Sequence, residues 1–234
     1  MRIREVKVLM FGYLVAKLGF LFVTVLIILV GAYFLYLLFT KAFREMGFDS
    51  GEAFLLLFAS YIFGFNIFNI YLFTYNNWDI ELNIGGALIP ILLSIYLIVR
   101  KRISLSKVVV GVLIVSIVTY LVSYPDPSEG IVSPFPLWLL PAIAASLTSA
   151  ILSYTTYRKA APLAYISGVI GVLIGADVLH LMELLSYKAP EFAVAAIGGA
   201  SVFDMVFLTG ILAVIIDSIL MFGQKRRERR VYYY

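Results

Sequence analysis

The sequence predicts an all-α integral membrane protein with about seven transmembrane helices. Of its 234 residues 62% are hydrophobic and only 14% charged, and mean hydropathy is +1.00. That is more apolar surface than a soluble domain of this size can hide. The apolar residues fall into stretches near 18–40, 52–74, 82–99, 106–124, 135–157, 162–186 and 192–222. The net charge of +4 gathers in end segments and short loops, where it sets orientation rather than binding nucleic acid. Each stretch is read as a helix, because backbone facing lipid must satisfy its own hydrogen bonds.

Residues 1–17 carry Arg2, Arg4, Lys7 and Lys17 among apolar side chains, the composition of an interfacial amphipathic helix. Residues 18–223 form a single polytopic membrane domain, with no soluble portion long enough to fold alone. The first apolar run is too long for a cleavable signal, and no small-residue cleavage pattern follows it. The last stretch exceeds the roughly 20 residues a span needs, so it is either tilted or broken at Gly198-Gly199. Residues 224–234 are a basic tail containing Lys225 to Arg230. Arg100, Lys101, Arg102 and Lys107 mark one cytoplasmic loop, and Arg158 with Lys159 another. The loops with Asp79 and Glu81, and with Asp126 and Glu129, lack Lys and Arg and fall outside. This predicts an external N-terminus and a cytoplasmic C-terminus, against the vote of the basic N-terminus itself. Asp177 then lies in the outer half of the sixth helix, and Asp204 nearer the middle of the seventh.

Two segments repeat. Gly64-x-Asn66-x-x-Asn69 matches Gly175-x-Asp177-x-x-His180 in spacing and polarity, and Ile-Gly-Gly-Ala occurs at 84–87 and again at 197–200. Two matches in the same order suggest a duplication of 18–100 into 135–222, with the fourth helix as linker. This 3+1+3 plan relates the halves by an axis along the membrane normal. Small sugar transporters of the SWEET type share the plan, but none of their motifs is present. Chance matching of glycine-rich apolar sequence is the alternative.

The acids carry the functional signal. An Asp at the centre of a membrane helix costs about 2.5–3.5 kcal/mol on insertion scales. Asp177 and Asp204 therefore each need a partner, water, a cation or a shared proton. Small residues at Ala164, Gly168, Gly171 and Gly175 form a stripe for close helix approach. At about 100° per residue Asp177 sits roughly opposite that stripe, with His180 close enough in angle to interact with it. Ser201, Asp204 and Leu208 share a face of the last helix. The short connection between the last two helices lets the carboxylates face each other. The plain alternative is two protonated aspartates bonded to helix backbone or to Asn66 and Asn69, with His180 as a packing histidine. Asn66, Asn69 and Asn83 are read either as interhelical hydrogen-bonding residues or as lining of a polar pathway. Gly85-Gly86 with Pro90 is a second candidate backbone break that frees groups for an ion, the alternative being a packed kink. Glu183 and Asp217 lie near helix ends and are expected to snorkel. The loop from Tyr124 to Pro136 is read as rigid and solvated. The chain has no cysteine and one histidine, which excludes disulfides, thiol nucleophiles and multi-histidine metal sites. No cofactor and no metal is expected.

The blocks "NIGGALIPILLSIYL", "PDPSEGIVSP", "APLAYISGVIGVLIGADVLHL" and "IGGASVFDMVFLTGILAV" resemble, in order, those of a prokaryotic multi-pass membrane family, domain of unknown function 1614. The resemblance runs from about Gly47 to Ile216 and implies a membrane protein without implying an activity. Members commonly carry glycine where Ser201 and Met205 stand and Asn where His180 stands. Those departures weaken any mechanism that needs an imidazole or extreme backbone freedom around Asp204.

Three functions compete. The first is a small transporter or a proton- or cation-linked channel, with Asp177, Asp204, His180, Asn66, Asn69, Asn83 and Ser201 along the pathway. The second is a presenilin-like intramembrane aspartyl protease with Asp177 and Asp204 as the catalytic pair. It ranks lower because the Gly-x-Gly-Asp, Tyr-Asp and Pro-Ala-Leu signatures are missing. The third is a non-catalytic membrane assembly protein. The expected partners are the lipid bilayer, a proton or cation with a small solute, and a second copy of the chain if it oligomerises.

Overall fold

The computed structural model describes residues 2–128, 130–189, 191, 193–199 and 204–223, and leaves the side chains of 2–9 and 11 undescribed. Glu129, Ser201 and the basic tail therefore lie outside the described residues. The chain divides into two compact units, Met1–Thr40 and Lys41–Tyr234.

The first unit is helix. It belongs to α1, Arg2–Met46, which runs without interruption across the boundary expected at residue 17. The consecutive residues Phe20, Leu21, Phe22 and Val23 are all exposed, so every side of the helix is, and apolar side chains all round a helix suit lipid. The Thr24 hydroxyl is hidden from that environment by donating to the Phe20 carbonyl, 2.9 Å away.

In the second unit α2, Ser50–Ile62, starts on a reciprocal cap. Asp49 accepts from the Glu52 N–H at 2.8 Å, and Glu52 accepts from the Asp49 N–H at 2.9 Å. The helix expected to reach residue 74 stops at Ile62. A 3₁₀ turn, Asn66–Phe68, and a hairpin replace its second half. Strand β1, Ile70–Tyr75, returns as β2, Trp78–Leu82, through Asn76 and Asn77, both left-handed with φ of 50° and 66°. A π-helical turn, Ile84–Leu88, leads into α3, Ile89–Lys101, with Pro90 in its first turn where a missing N–H costs nothing. Helix α4 comes next, Leu105–Val122. The expected irregular loop after it contains a short hairpin of β3, Tyr124–Asp126, and β4, Gly130–Val132. Helix α5 is Leu140–Leu152. Helix α6, Ala160–Val172, continues through a π-helical turn, Leu173–Val178, into α7, Leu179–Ser186. The last stretch, expected to be one helix over 192–222, is β5, Ala193–Ile197, and then α8, Met205–Leu220.

The membrane part is helical as expected, but only four helices among the described residues are long and apolar enough to cross a bilayer. They are Gly12–Met46, Ile84–Lys101, Leu105–Val122 and Tyr157–Ser186. The apolar helices Ser50–Ile62, Leu137–Leu152 and Met205–Leu220 are shorter. The two small sheets were not anticipated. β5 joins β2 in parallel to give the order β1–β2–β5, so residues more than a hundred positions apart become neighbours.

Helix α6 is the centre of this unit, packed by α3, α4, α5 and α8. Its small-residue stripe is spent on those neighbours. A Cβ added at Gly168 would stand 3.2 Å from the Gly210 Cα of α8. One at Gly171 would meet the Val115 side chain of α4 at 2.5 Å, and one at Gly175 the Ser116 carbonyl at 2.4 Å. Gly175→Val therefore forces α4 and α6 apart, and overpacking of this kind costs about 1–3 kcal/mol. Thermal unfolding of the purified variant in detergent should show a lowered midpoint, with Ile170→Val on the less buried side of α6 nearly silent.

Candidate functional site: two aspartates on one cavity

The site begins at the ends of β2 and β5. The parallel ladder sets Leu82 opposite Ile197, and the next N–H, of Asn83, donates to the Ile197 carbonyl at 2.9 Å. Beyond this point the two Ile-Gly-Gly-Ala elements meet. Gly198 has φ of +73°, and a Cβ there would stand 2.6 Å from the Ala87 nitrogen. Only glycine tolerates both the left-handed backbone and the close approach. Gly85 is as tightly held, with a virtual Cβ 2.0 Å from the Ser60 carbonyl and its N–H donating to Phe63. Gly85 and Gly86 are thus packed inside a π turn rather than broken open for an ion. Gly198 and Gly199 do interrupt the last apolar stretch, as a turn after a strand.

Asn83 is completely buried and uses its whole amide. The Nδ2 donates to the Gly64 carbonyl at 2.9 Å and to Asn69 Oδ1 at 2.7 Å, while Oδ1 accepts from the Gly86 N–H at 2.8 Å. Asn69 in turn donates to Glu81 at 2.7 Å. Asn69 and Asn83 therefore brace the backbone and do not line the cavity.

Asp204 and Asp177 do line it. Asp204 is not in mid-helix as expected. It caps α8, its carboxylate accepting from the Val206 N–H at 2.8 Å, and a helix N-terminus favours a carboxylate there. Asp177 lies in the π turn between α6 and α7. Both are half-buried and border one cavity of about 310 Å³. Asn66 stands on the same cavity, and its other wall is β5 from Val194 to Ile197. Beyond the same two carboxylates lies a smaller chamber of about 60 Å³. It is bordered by the Ser123 hydroxyl, which is buried and has no partner among the described residues.

His180 is elsewhere. Its ring stacks on Tyr120 of α4 at 4.4 Å between centroids, with Nε2 3.2 Å from the Tyr120 carbonyl and Nδ1 3.3 Å from Glu183. Asp177 belongs to the π turn and His180 to the α-helix that follows it, and the three-residue spacing does not put both on the cavity: Asp177 borders it and His180 packs on Tyr120. Glu183 remains half exposed. Asp217, expected to snorkel, is 1% exposed and accepts from the Ser149 hydroxyl of α5 at 2.7 Å. The clue to its burial is a period: with Thr209 and Ala213 it falls at four-residue steps on the buried face of α8. Ser201 lies outside the described residues. Among the described residues no three of His, Cys, Asp and Glu are gathered to hold a metal ion.

These features define a multi-pass membrane protein with a pair of acids on a shared cavity. Residues 60–216 match the family described as protein of unknown function DUF1614, and the chain belongs to that family. The matched segment includes Asn66, Asp177, Asp204 and all of β5. Neither the curated proteins nor the solved structures provide a match.

The bracing and lining roles separate by mutation. Asn83→Leu strips partners from Gly64, Asn69 and Gly86, and each unsatisfied buried group costs about 1–3 kcal/mol. Asn66→Ala, at the exposed rim, should stay within about 0.5 kcal/mol of the parent. Unfolding midpoints in one detergent compare them directly.

Proposed function

We propose that the chain hydrolyses peptide bonds at the membrane, with Asp177 and Asp204 as its acid and base. The observation that carries this reading is the common cavity: two carboxylates bordering one space of about 310 Å³ can hold a water between them. One carboxylate takes a proton from that water as its oxygen adds to the substrate carbonyl, and the other protonates the carbonyl oxygen. Collapse then breaks the C–N bond, the amine nitrogen leaving with a proton. This chemistry needs access from one side only. Exposed Asn66 and Val194 at the rim support such access. The fully buried Ile166, Val169, Ile211 and Val214 form a packed interior in α6 and α8. The site residues of this reading are Asp177 and Asp204, without His180, Asn69 or Asn83.

Proton- or cation-linked transport, the first reading of the sequence, keeps one specific support. The smaller chamber that shares both acids also has Ser123 and Ser133 among otherwise apolar lining residues, which offers further oxygens beside the pair. Duplication is supported by the two Ile-Gly-Gly-Ala elements, each coming after one of two parallel strands, and by Asn66 and Asp177 meeting on one cavity. A seven-span, 3+1+3 arrangement with a cytoplasmic C-terminus is the topology we adopt. A purely assembling role has less support, since the small-residue stripe of α6 is occupied within the chain.

In proteoliposomes the parent protein should cleave a reporter carrying a transmembrane segment. Asp177→Asn and Asp204→Asn should each lower the rate by about 10²–10⁴-fold, the range of a single acid–base group. Undiminished cleavage in either variant sinks the proposal. Acid-driven proton flux, measured with an entrapped pH dye and lost in both variants without any cleavage, would establish transport in its place.

A further inference from the structure

Strand β5 presents the cavity with an unpaired backbone edge. In the order β1–β2–β5 it pairs on one side only. The Ala193 N–H donates to the Asn77 carbonyl, and the Asn83 N–H to the Ile197 carbonyl. These bonds fix the phase of a parallel ladder. Residues 193, 195 and 197 turn their polar groups to β2, and residues 194 and 196 turn theirs away. The Ala196 carbonyl takes the Gly199 N–H in the turn after the strand. The N–H and C=O of Val194 and the N–H of Ala196 have no partner among the described residues. The cavity touches Val194, Ala195, Ala196 and Ile197 in succession. Neighbours on a strand face opposite sides, so the cavity reaches round the edge of β5, and on one face it extends to Ile80 of β2.

Backbone donors and acceptors left open on a strand edge are ready to pair with another extended chain. The groups here recur two residues apart, which is the repeat of an extended polypeptide and not of an acyl chain, a sugar or an ion. The side chains beside them are small, Ala195, Ala196 and Gly199, which leaves room for those of a guest. We propose that β5 is the docking strand for substrate: an extended stretch of membrane polypeptide adds alongside Val194 and Ala196 and is thereby led past Asp177 and Asp204. The inference rests on the proteolytic reading for the fate of the docked segment, while docking itself does not require the acids. The opposite edge of the sheet, on β1, does not line the cavity and serves as the internal control.

The chain has no cysteine, so single thiols report position cleanly. Val194→Cys and Leu72→Cys, on the β5 and β1 edges, are made in an Asp177→Asn/Asp204→Asn background that spares the probe. The probe is a lysine-flanked peptide of roughly 20 Leu, Ala and Val residues with a central Gly-Gly and one cysteine. Disulfide cross-linking should be several-fold faster at position 194 than at 72. N-methylation of alternate probe amides, which removes donors from the guest and leaves the protein untouched, should abolish that preference. Ala196→Pro should do the same, because residue 196 contributes nothing to the ladder with β2. Equal cross-linking at both edges, or indifference to N-methylation, overturns the docking strand even if Ala196→Pro fails to fold. Cross-linking at 194 with no cleavage by the parent protein keeps the docking strand and removes the protease. Cleavage that ignores N-methylation keeps the acid pair and removes the docking strand.

Discussion

The arrangement around the cavity depends on one hydrogen bond, from the Asn83 N–H to the Ile197 carbonyl. It closes the ladder between β2 and β5 and brings two glycine pairs from distant parts of the chain into backbone contact. The Asn83 side chain completes the clamp by holding the end of α2, Asn69 and the first turn before α3. Such a residue is isolated from solvent and fully bonded, so its worth is in fixing one arrangement of four segments rather than in net energy. Everything that lines the cavity from this side is placed by it.

The chain keeps two membrane acids because neither is in plain hydrocarbon. Asp204 sits at the N-terminus of α8, where its oxygen takes a backbone N–H that would otherwise be unpaired. Asp177 is carried by a π turn, a local widening that changes the direction in which successive side chains leave the helix. That change aims Asp177 at the cavity, while Gly175 and His180, on either side of it, face α4. The two acids thus share a space but reach it through different local structures, so the pair is asymmetric.

Hydropathy made the membrane class, the stretches containing each helix, the acid pair and the paired glycine elements legible. It could not make the strands legible. "IYLFTY" and "AVAAI" are as apolar as the helices around them, and a short apolar run has no period that tells strand from helix. For the first hairpin a local signal was present. Asn76-Asn77 between aromatic and β-branched residues is turn chemistry suited to a two-residue hairpin. The misplaced depth of Asp204 has the same origin, since its helix starts only at Met205. His180 misled through spacing: three residues apart is adjacent on an α-helix, whereas Asp177 stands in a π turn with a wider repeat and His180 in the α-helix after it.

The pairing of β2 with β5 also orders events in time. β2 ends at Leu82 and β5 begins at Ala193, so during synthesis β2 waits with one edge unpaired until most of the chain has been made. Loop closure over such a separation is slow compared with helix formation. The cavity wall, the glycine contact and the meeting of Asp177 with Asp204 therefore arise together and late, after α3 to α7 exist. A ribosome-bound intermediate of this protein has its early helices but not its cavity, which is closed only when the last helix is in place.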